Sequence, residues 1–361
     1  MAIKAKELAQ TLGVSEATLS LILNRKGSIS QKTRAAVTKK IIDMGYGYMF
    51  KDNVEAADAS VRKESELPGQ ERSQGCIGFV IYKDSGLFME NTSFFPLIID
   101  GMDMVARKYG YRFLVINISR DMDTETKLNY IRESGCAGYV IYAPELPLEE
   151  ADNLQRLQIP FVLLDNYFPG KEIDAVTLDN DQGICVILKM LMEKGHRKIG
   201  YLSGGVNLQS FRERRANFRR YIKESGLELN EGYVADIGYP DSEAYEGMLR
   251  YIRRAEELPT AFVTDNDCVA FGAIKALQDS GYGVPEDISV VGFSDRPLCM
   301  YIIPNITTVR IPRMRFGGEA VELLIQKVMK NPYEEEKSTI RIQVSMKLVE
   351  RESAGAAPKR K

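Results

Sequence analysis

Two sets of residues in this chain carry groups that could do chemistry with a partner. The first is a continuous run, Gly13-Val14-Ser15-Glu16-Ala17-Thr18-Leu19-Ser20-Leu21-Ile22-Leu23-Asn24. Its hydroxyls, amide and carboxylate alternate with apolar side chains, so a helix would show one polar edge. Such an edge can hydrogen-bond base edges and phosphates in a DNA groove. The second set is dispersed. Asp179-Asn180, Asp265-Asn266-Asp267 and Ser294-Asp295 each follow a short apolar run, and Arg214 stands in a helix-like stretch after Ser210. Carboxylates and amides suit hydroxyl-rich ligands because each can bind a pair of hydroxyls. Arginine offers a planar fork of donors to a carboxylate, phosphate or sugar oxygen.

Each set needs elements that hold it in place. Gly13 suits a turn backbone that other residues resist, and Ser15 is placed to cap the following helix. Behind the cap, Ala17, Leu19, Ile22 and Leu23 bring apolar groups together. Ahead of the turn, Ala5, Leu8, Ala9 and Leu12 form a second apolar stripe at helical spacing. Two short helices around a glycine turn make a helix-turn-helix, whose second helix enters the DNA major groove. Spacing alone fits any small helical hairpin equally well. Ser30 is expected to cap a third helix reaching about Met44, with Ala35, Ala36, Val37, Ile41, Ile42 and Met44 inward and Gly45 as its stop. Residues 1–50 hold eight cationic and three acidic side chains, a net +5 on a chain whose total is −2. A small basic unit on a mildly acidic body suits a DNA-reading head, although a solvated helical surface would also read this way.

The 361 residues, 44% hydrophobic and 27% charged, are enough for more than one globular domain. Residues 51–74 have linker composition, small and acidic at first, with Pro68-Gly69 further on. From Cys76 the pattern alternates. Apolar runs at 76–82, 112–117, 138–142, 161–164, 198–203, 234–237, 260–264 and 288–293 predict buried parallel strands. Stretches near 94–109, 124–134, 148–157, 181–194, 210–225, 241–256 and 267–280 predict helices between them. The result is an α/β fold with too many strands for one sheet, hence two sub-domains.

Enzymatic motifs are sparse. No G-x-G-x-x-G follows the first strand, no phosphate-binding G-x-x-x-x-G-K-[ST] is present, and there is no G-x-S-x-G elbow. The one histidine, His196, has no second histidine for a metal pair and reads as structural. Five scattered cysteines argue against a disulfide framework or a zinc site. No cofactor or metal is therefore expected. No signal peptide opens the sequence, and no apolar run is long enough to cross a bilayer. A cytoplasmic location with no membrane partner is the expectation.

The segment Lys6 to Asn24 resembles the N-terminal domain of the lac repressor (LacI/GalR) family, which reads roughly K-D-V-A-x-x-A-G-V-S-x-x-T-V-S-x-V-L-N. Here it stands as Lys6-Glu7-Leu8-Ala9, Gly13-Val14-Ser15, Thr18-Leu19-Ser20 and Ile22-Leu23-Asn24, followed by Ser30-Gln31-Lys32-Thr33-Arg34 and Met44-Gly45-Tyr46. The likeness continues over about 75–350, carried by Asn91 with Phe94-Phe95, Gly195-His196-Arg197-Lys198-Ile199, Val290-Val291-Gly292-Phe293 and Thr307-Thr308-Val309. It implies a three-helix head over 1–50, a linker or hinge over 51–74, and a two-lobed, periplasmic-binding-protein-like effector and dimerisation domain over 75–352. The lobes are Rossmann-like, with a cleft between them. Lobe one would comprise about 75–177 and 310–340, lobe two about 178–309 and 341–352, with crossings near Thr177, Val309 and Ile340. A frayed basic tail would follow at 353–361.

The resemblance also implies roles. Glu16, Ala17 and Leu21 match base-reading positions; Ser15, Thr18, Ser20, Asn24, Ser30 and Thr33 match positions that face phosphates. Phe94, Phe95, Asp179, Arg214, Asn266, Phe293, Ser294 and Asp295 are the candidate effector contacts. The expected partners are double-stranded operator DNA, a small effector of carbohydrate type, and a second copy of the chain. The expected function is a sequence-specific transcription regulator, a repressor, controlled by that effector. A ligand-binding α/β protein with a weakened DNA-binding role, an enzyme on a Rossmann-like fold, and a pure solute-binding protein are the competing readings. Three departures matter. Leu21 replaces a residue that is often Arg, Ser294 replaces one that is often Asp, and the linker lacks the family's P-N-x-x-A-R-x-L hinge pattern. Glu55 and Asp58 would meet phosphates with the wrong charge, so this linker is expected to stay loose on DNA.

Overall fold

The structure is a computed structural model describing residues 9, 11–23, 30, 33–34, 37–38, 40, 74–83, 94–119, 121–329 and 338–359. The chain divides into two units, Met1–Arg72 and Ser73–Lys361. The hinge expectation, Asn24, Asn91 and nearly all of the proposed linker lie outside the described residues.

In the first unit, α1 spans Glu16–Leu23. It follows a turn in which Gly13 adopts φ +71° with nothing near its missing side chain, so the backbone rather than packing calls for glycine. The Val14 N–H donates to the Ala9 carbonyl at 3.0 Å. Ala9, Leu12, Leu19, Ile22 and Val37 are buried together in this unit's core. Ala17, expected among the apolar inner residues, is instead exposed.

The second unit is α/β. Lobe one is built on β1 (Cys76–Lys83), β2 (Arg112–Ser119), β3 (Gly138–Tyr142), β4 (Phe161–Leu164) and β5 (Ala175–Leu178), with α2 (Pro96–Lys108), α3 (Thr124–Glu133) and α4 (Leu148–Gln155) between them. Lobe two carries α5 (Asn180–Glu193), β6 (Ile199–Ser203), α6 (Gln209–Glu224), β7 (Val234–Asp236), α7 (Asp241–Arg254), β8 (Ala261–Thr264), α8 (Asp267–Asp279) and β9 (Ser289–Val291). The chain returns through β10 (Thr308–Arg310) to α9 (Arg313–Val328) and β11 (Arg341–Val344), then ends with β12 (Lys347–Val349).

Among the described residues, lobe one is a six-stranded sheet in the order β11-β5-β4-β3-β1-β2 and lobe two a four-stranded sheet in the order β7-β6-β8-β9. Each neighbouring pair in both sheets is parallel. Parallel sheets are covered on both faces, which is why β3, β4, β5, β6 and β8 are buried at each position. On one face of lobe one, α2 and α9 meet closely. A Cβ on Gly101 would lie 2.0 Å from the Met314 carbonyl oxygen, so this crossing requires glycine.

Two expectations need correction. The third crossing falls after Val344, not near Ile340, because Arg341–Val344 pair in register with Ala175–Leu178 at the edge of lobe one's sheet. The frayed tail is in part a docked strap. Ser353 is fully buried: its N–H donates to the Asn305 carbonyl, its carbonyl accepts from Val290 N, and its hydroxyl donates to the Val290 carbonyl at 2.6 Å and accepts from Thr307 N at 2.9 Å. Further along, Gly355 N donates to Ser289 Oγ, and Ala357 N to the Lys194 carbonyl. His196, fully buried, places its two ring nitrogens against Thr260 Oγ1 at 2.9 Å and the Gly355 carbonyl at 3.2 Å, so it serves the fold.

Ser353→Ala strands the Thr307 N–H and removes the hydroxyl bond to Val290. A buried donor left unpaired costs about 1–3 kcal/mol. The variant is expected to unfold at lower urea concentration with an unchanged slope, read by equilibrium denaturation of the full chain.

Candidate functional site

In the first unit, α1 presents Glu16, Ala17, Ser20 and Leu21 as exposed residues, with Leu19 and Ile22 on the opposite, buried side. The exposed four are i, i+4 neighbours and so form one surface. Ser15 and Ser30 start the same local device. The Ser15 hydroxyl accepts from Thr18 N at 3.1 Å and meets Thr18 Oγ1 at 2.8 Å; Ser30 accepts from Thr33 N at 3.1 Å and meets Thr33 Oγ1 at 2.7 Å. Arg34 reaches back to the Leu21 carbonyl at 3.4 Å.

In the second unit a cleft of about 500 Å³, open mouth included, separates the lobes. Its walls follow the rule for open parallel sheets, which place ligands beyond the carboxyl ends of the strands. Tyr142 ends β3, Asp165 follows β4, and Leu178 ends β5. From lobe two, Tyr239 follows β7, Asn266 follows β8, and Ser294 and Arg296 follow β9, while α6 contributes Ser210, Phe211 and Arg214. Phe94 precedes α2 and Ile311 follows β10.

Arg214 is almost wholly buried. Its Nε donates to Asn180 Oδ1 at 2.8 Å, its Nη1 to the Asp265 carbonyl at 2.6 Å, and its guanidinium lies 3.7 Å from the Phe293 ring centre. Burial lowers the Arg214 pKa, against the pull of Tyr201 and the carboxylates Asp165 and Asp265. Asp165, across the cleft, is pushed up to about 7 by burial, with Arg214 opposing. Asn266 has its Oδ1 occupied as the cap of α8, accepting from Cys268 N and Val269 N at 3.0 Å each. Ser294, at φ +118°, accepts from Arg313 through its hydroxyl and its carbonyl.

The cleft thus brings together Phe94, Arg214, Asn266 and Ser294 from the sequence-derived candidates. The other four stand behind it. Phe95 packs in lobe one's core, edge-on to Tyr142 at 5.1 Å. Asp179 caps α5 by accepting from Gln182 N. Phe293 is fully buried and acts as the plate on which Arg214 stacks. Asp295 has its oxygens held at 2.6 Å by Arg310 and Arg351, which fixes it to the crossover. Asp165, Tyr142, Tyr239 and Arg296 were missed by sequence reasoning. Asp165 had a usable signal: it directly follows the apolar run 161–164, as Asp265 follows 260–264.

A helix-turn-helix unit joined to a two-lobed binding-protein-like body defines a class, the DNA-binding regulator with a sensor domain. The sequence profile of bacterial regulatory proteins of the lacI family matches residues 4–47, and that of a periplasmic binding protein-like domain matches 188–354. The transcriptional regulator GalS of Salmonella typhimurium is 30% identical over 327 residues, 90% of this chain and 89% of GalS. Among solved structures, a CelR–cellobiose complex superposes with TM-score 0.68 at 22% identity, over 97% of this chain and 99% of that one. The lac repressor dimer bound to operator and an anti-inducer gives 0.67 at 21% identity, over 99% of this chain and 100% of the repressor. The chain belongs to the lacI family of bacterial regulatory proteins. It is a DNA-binding transcriptional regulator and not an enzyme.

Asp165 yields a pH prediction. Its folded pKa lies above the ordinary carboxyl value of 3.8, so the folded state binds the proton more tightly. Its favourable contribution is complete below about pH 4 and is lost as the pH rises through 7. Asp165→Asn is expected to stabilise the protein at pH 8 by roughly 1–3 kcal/mol, the gain shrinking toward pH 4. Urea denaturation at pH 8, 6 and 4 checks it.

Proposed function

We propose that this regulator is a repressor that binds a near-palindromic operator as a homodimer and is controlled by a small sugar derivative held in the interlobe cleft. The cleft carries this reading: cations, one carboxyl and aromatic rings converge from both lobes, so a ligand touching both would favour the closed arrangement. The aromatic side chains Phe94, Tyr142, Phe211 and Tyr239 suit the apolar face of a sugar ring. With Nε and Nη1 of Arg214 committed to protein, its Nη2 is the group assigned to the ligand. Arg214 and Arg296 outnumber Asp165, and Ser294 brings no further carboxylate to the wall. That balance favours a sugar acid or sugar phosphate over a neutral hexose. CelR in its solved complex holds cellobiose, which supports the carbohydrate class.

On DNA, Glu16 is assigned to accept from a cytosine amino group, with Ala17 and Leu21 against thymine methyls. Ser15, Thr18, Ser20, Ser30 and Thr33 face phosphates. A cytoplasmic location follows from a DNA partner, and none of the described helices is long and apolar enough to cross a membrane. The dimer is supported by exposed apolar side chains, Met300, Tyr301 and Ile303 in lobe two and Leu97 and Met104 on α2 of lobe one. The lac repressor of the solved complex is likewise a dimer on operator.

Two measurements test the proposal. Fluorescence anisotropy of an operator selected from random duplexes, with and without sugar acids and sugar phosphates, reads control. Arg214→Ala is expected to abolish the effector response while leaving operator affinity within about threefold. Unchanged effector response in this variant would remove Arg214 from the site. Sedimentation of a fragment beginning at Gly75 is expected to show a dimer; a monomer would count against the body as the dimerising unit.

A further inference from the structure

Cys76 and Cys136 bring their sulfur atoms to 2.8 Å across 60 residues of sequence. Cys76 is the first residue of β1, and Cys136 lies two residues before β3. The two strands are parallel neighbours with Ile77 opposite Gly138, and the Ala137 N–H donates to the Cys76 carbonyl at 2.8 Å. The backbone beneath the two thiols is therefore fixed by sheet pairing. A disulfide has its sulfurs about 2.05 Å apart, so closure asks for a relative movement of about 0.8 Å. Both thiols are free, Cys76 half-buried and Cys136 buried. The other cysteines, Cys185, Cys268 and Cys299, stand on lobe two.

We propose that Cys76 and Cys136 form a reversible modification site, closed to a disulfide by a peroxide and reopened by a dithiol. Cys76 is the more accessible sulfur and meets the oxidant first. Its thiolate attacks one peroxide oxygen, the O–O bond breaks, and the departing hydroxide leaves as water after taking a proton. Cys76 becomes a sulfenic acid. The Cys136 sulfur then attacks the Cys76 sulfur; the S–S bond forms, the S–O bond breaks, and the hydroxyl leaves as water with the Cys136 proton. Two thiols and one hydrogen peroxide thus give one disulfide and two waters. Burial and contact with Cys76 push the Cys136 thiol up to about 12, which suits it to the second step rather than the first. The bond would tie the opening residue of β1, the first strand of the second unit, to the approach to β3.

The test uses the full chain. Protein reduced and then treated with hydrogen peroxide is alkylated under denaturing conditions, digested with trypsin without reduction, and analysed by mass spectrometry. The expected product is peptide 73–83 joined to peptide 133–156, two mass units below the sum of the two free-thiol peptides and split by dithiothreitol. Alkylatable thiols fall from five to three. Cys136→Ser is expected to lose the linked peptide and leave Cys76 as sulfenic acid or higher oxides. Cys76→Ala, at the half-buried position, is expected to leave Cys136 fully alkylatable after the same treatment, which keeps the test independent of how well the Cys136 variant folds. Recovery of wild-type Cys76 as sulfinic or sulfonic acid with Cys136 alkylated would overturn the proposal. So would a Cys76–Cys76 link between two copies as the main product.

Discussion

A buried guanidinium organises the sensor half of this molecule. Arg214 enters from α6, an element of lobe two, and is held by Asn180 at the start of α5, by the backbone at Asp265 after β8, and by the face of Phe293 after β9. A charge taken out of water is costly unless it is paired and hydrogen-bonded. Here the compensation comes from three strand or helix ends, so those ends must converge for Arg214 to be tolerated at all. The same convergence defines the lobe-two wall of the cleft. The buried charge thus fixes geometry more than it adds stability, since buried ionic groups often do no better than apolar substitutes.

The route of the chain between the lobes has a matching electrostatic clasp. Asp295, at φ +54° after β9, is bound by Arg310 at the end of β10 and by Arg351 just after β12. β10 and β12 pair antiparallel, and Ser294 bridges Arg310. One carboxylate therefore joins the outgoing and returning crossovers to lobe two. Asp267 supplies a second tie from within, accepting from Thr308 Oγ1 and from Arg296 N. Lobe closure, on this frame, would be a motion of segments beyond the clasp, while the clasp itself stays intact.

Much of this could be read from residue patterns, and the failures have physical causes. Buried parallel strands write themselves as short apolar runs, so β1 to β4 and β6 to β9 were visible. β5, Ala175-Val176-Thr177-Leu178, is as short as β4 and β8 and was not among the expected strands; Asp174 and Asp179 close on it directly from both sides. α9 escaped because it opens with Arg313-Met314-Arg315, and its stripe emerges only from Phe316 onward. Within the site, strand-end position found Asn266 and Ser294 but could not separate a side chain facing the cleft from one turned away. Asp295 is the clear case: the neighbour of a lining residue points to two arginines instead. Its role depends on Arg310 and Arg351, which lie 15 and 56 residues away and meet only in the folded chain. Sequence order also gave no sign that Ser353 would be swallowed by lobe two.

In the head, the division of labour follows from the paired Ser-x-x-Thr devices. In each, the serine hydroxyl is already spent on the N–H three residues ahead, and the threonine hydroxyl is drawn to the serine. These hydroxyls hold the first turns rigid and retain lone-pair and proton capacity for one outward bond each. They are suited to positioning the unit against phosphates, which set register and carry no sequence information. The exposed face of α1 offers Glu16, Ala17, Ser20 and Leu21, with no cation among them. The bidentate guanine contact that arginine makes is not available to these four side chains; on the proposed assignment, discrimination would rest on an acidic acceptor and apolar contact with thymine methyls. Such a face would reject wrong bases chiefly by leaving Glu16 unpaired or by clashing at a methyl. On that assignment attraction would come from the eight cationic residues that positions 1–50 hold, and operator affinity should carry a correspondingly steep dependence on salt.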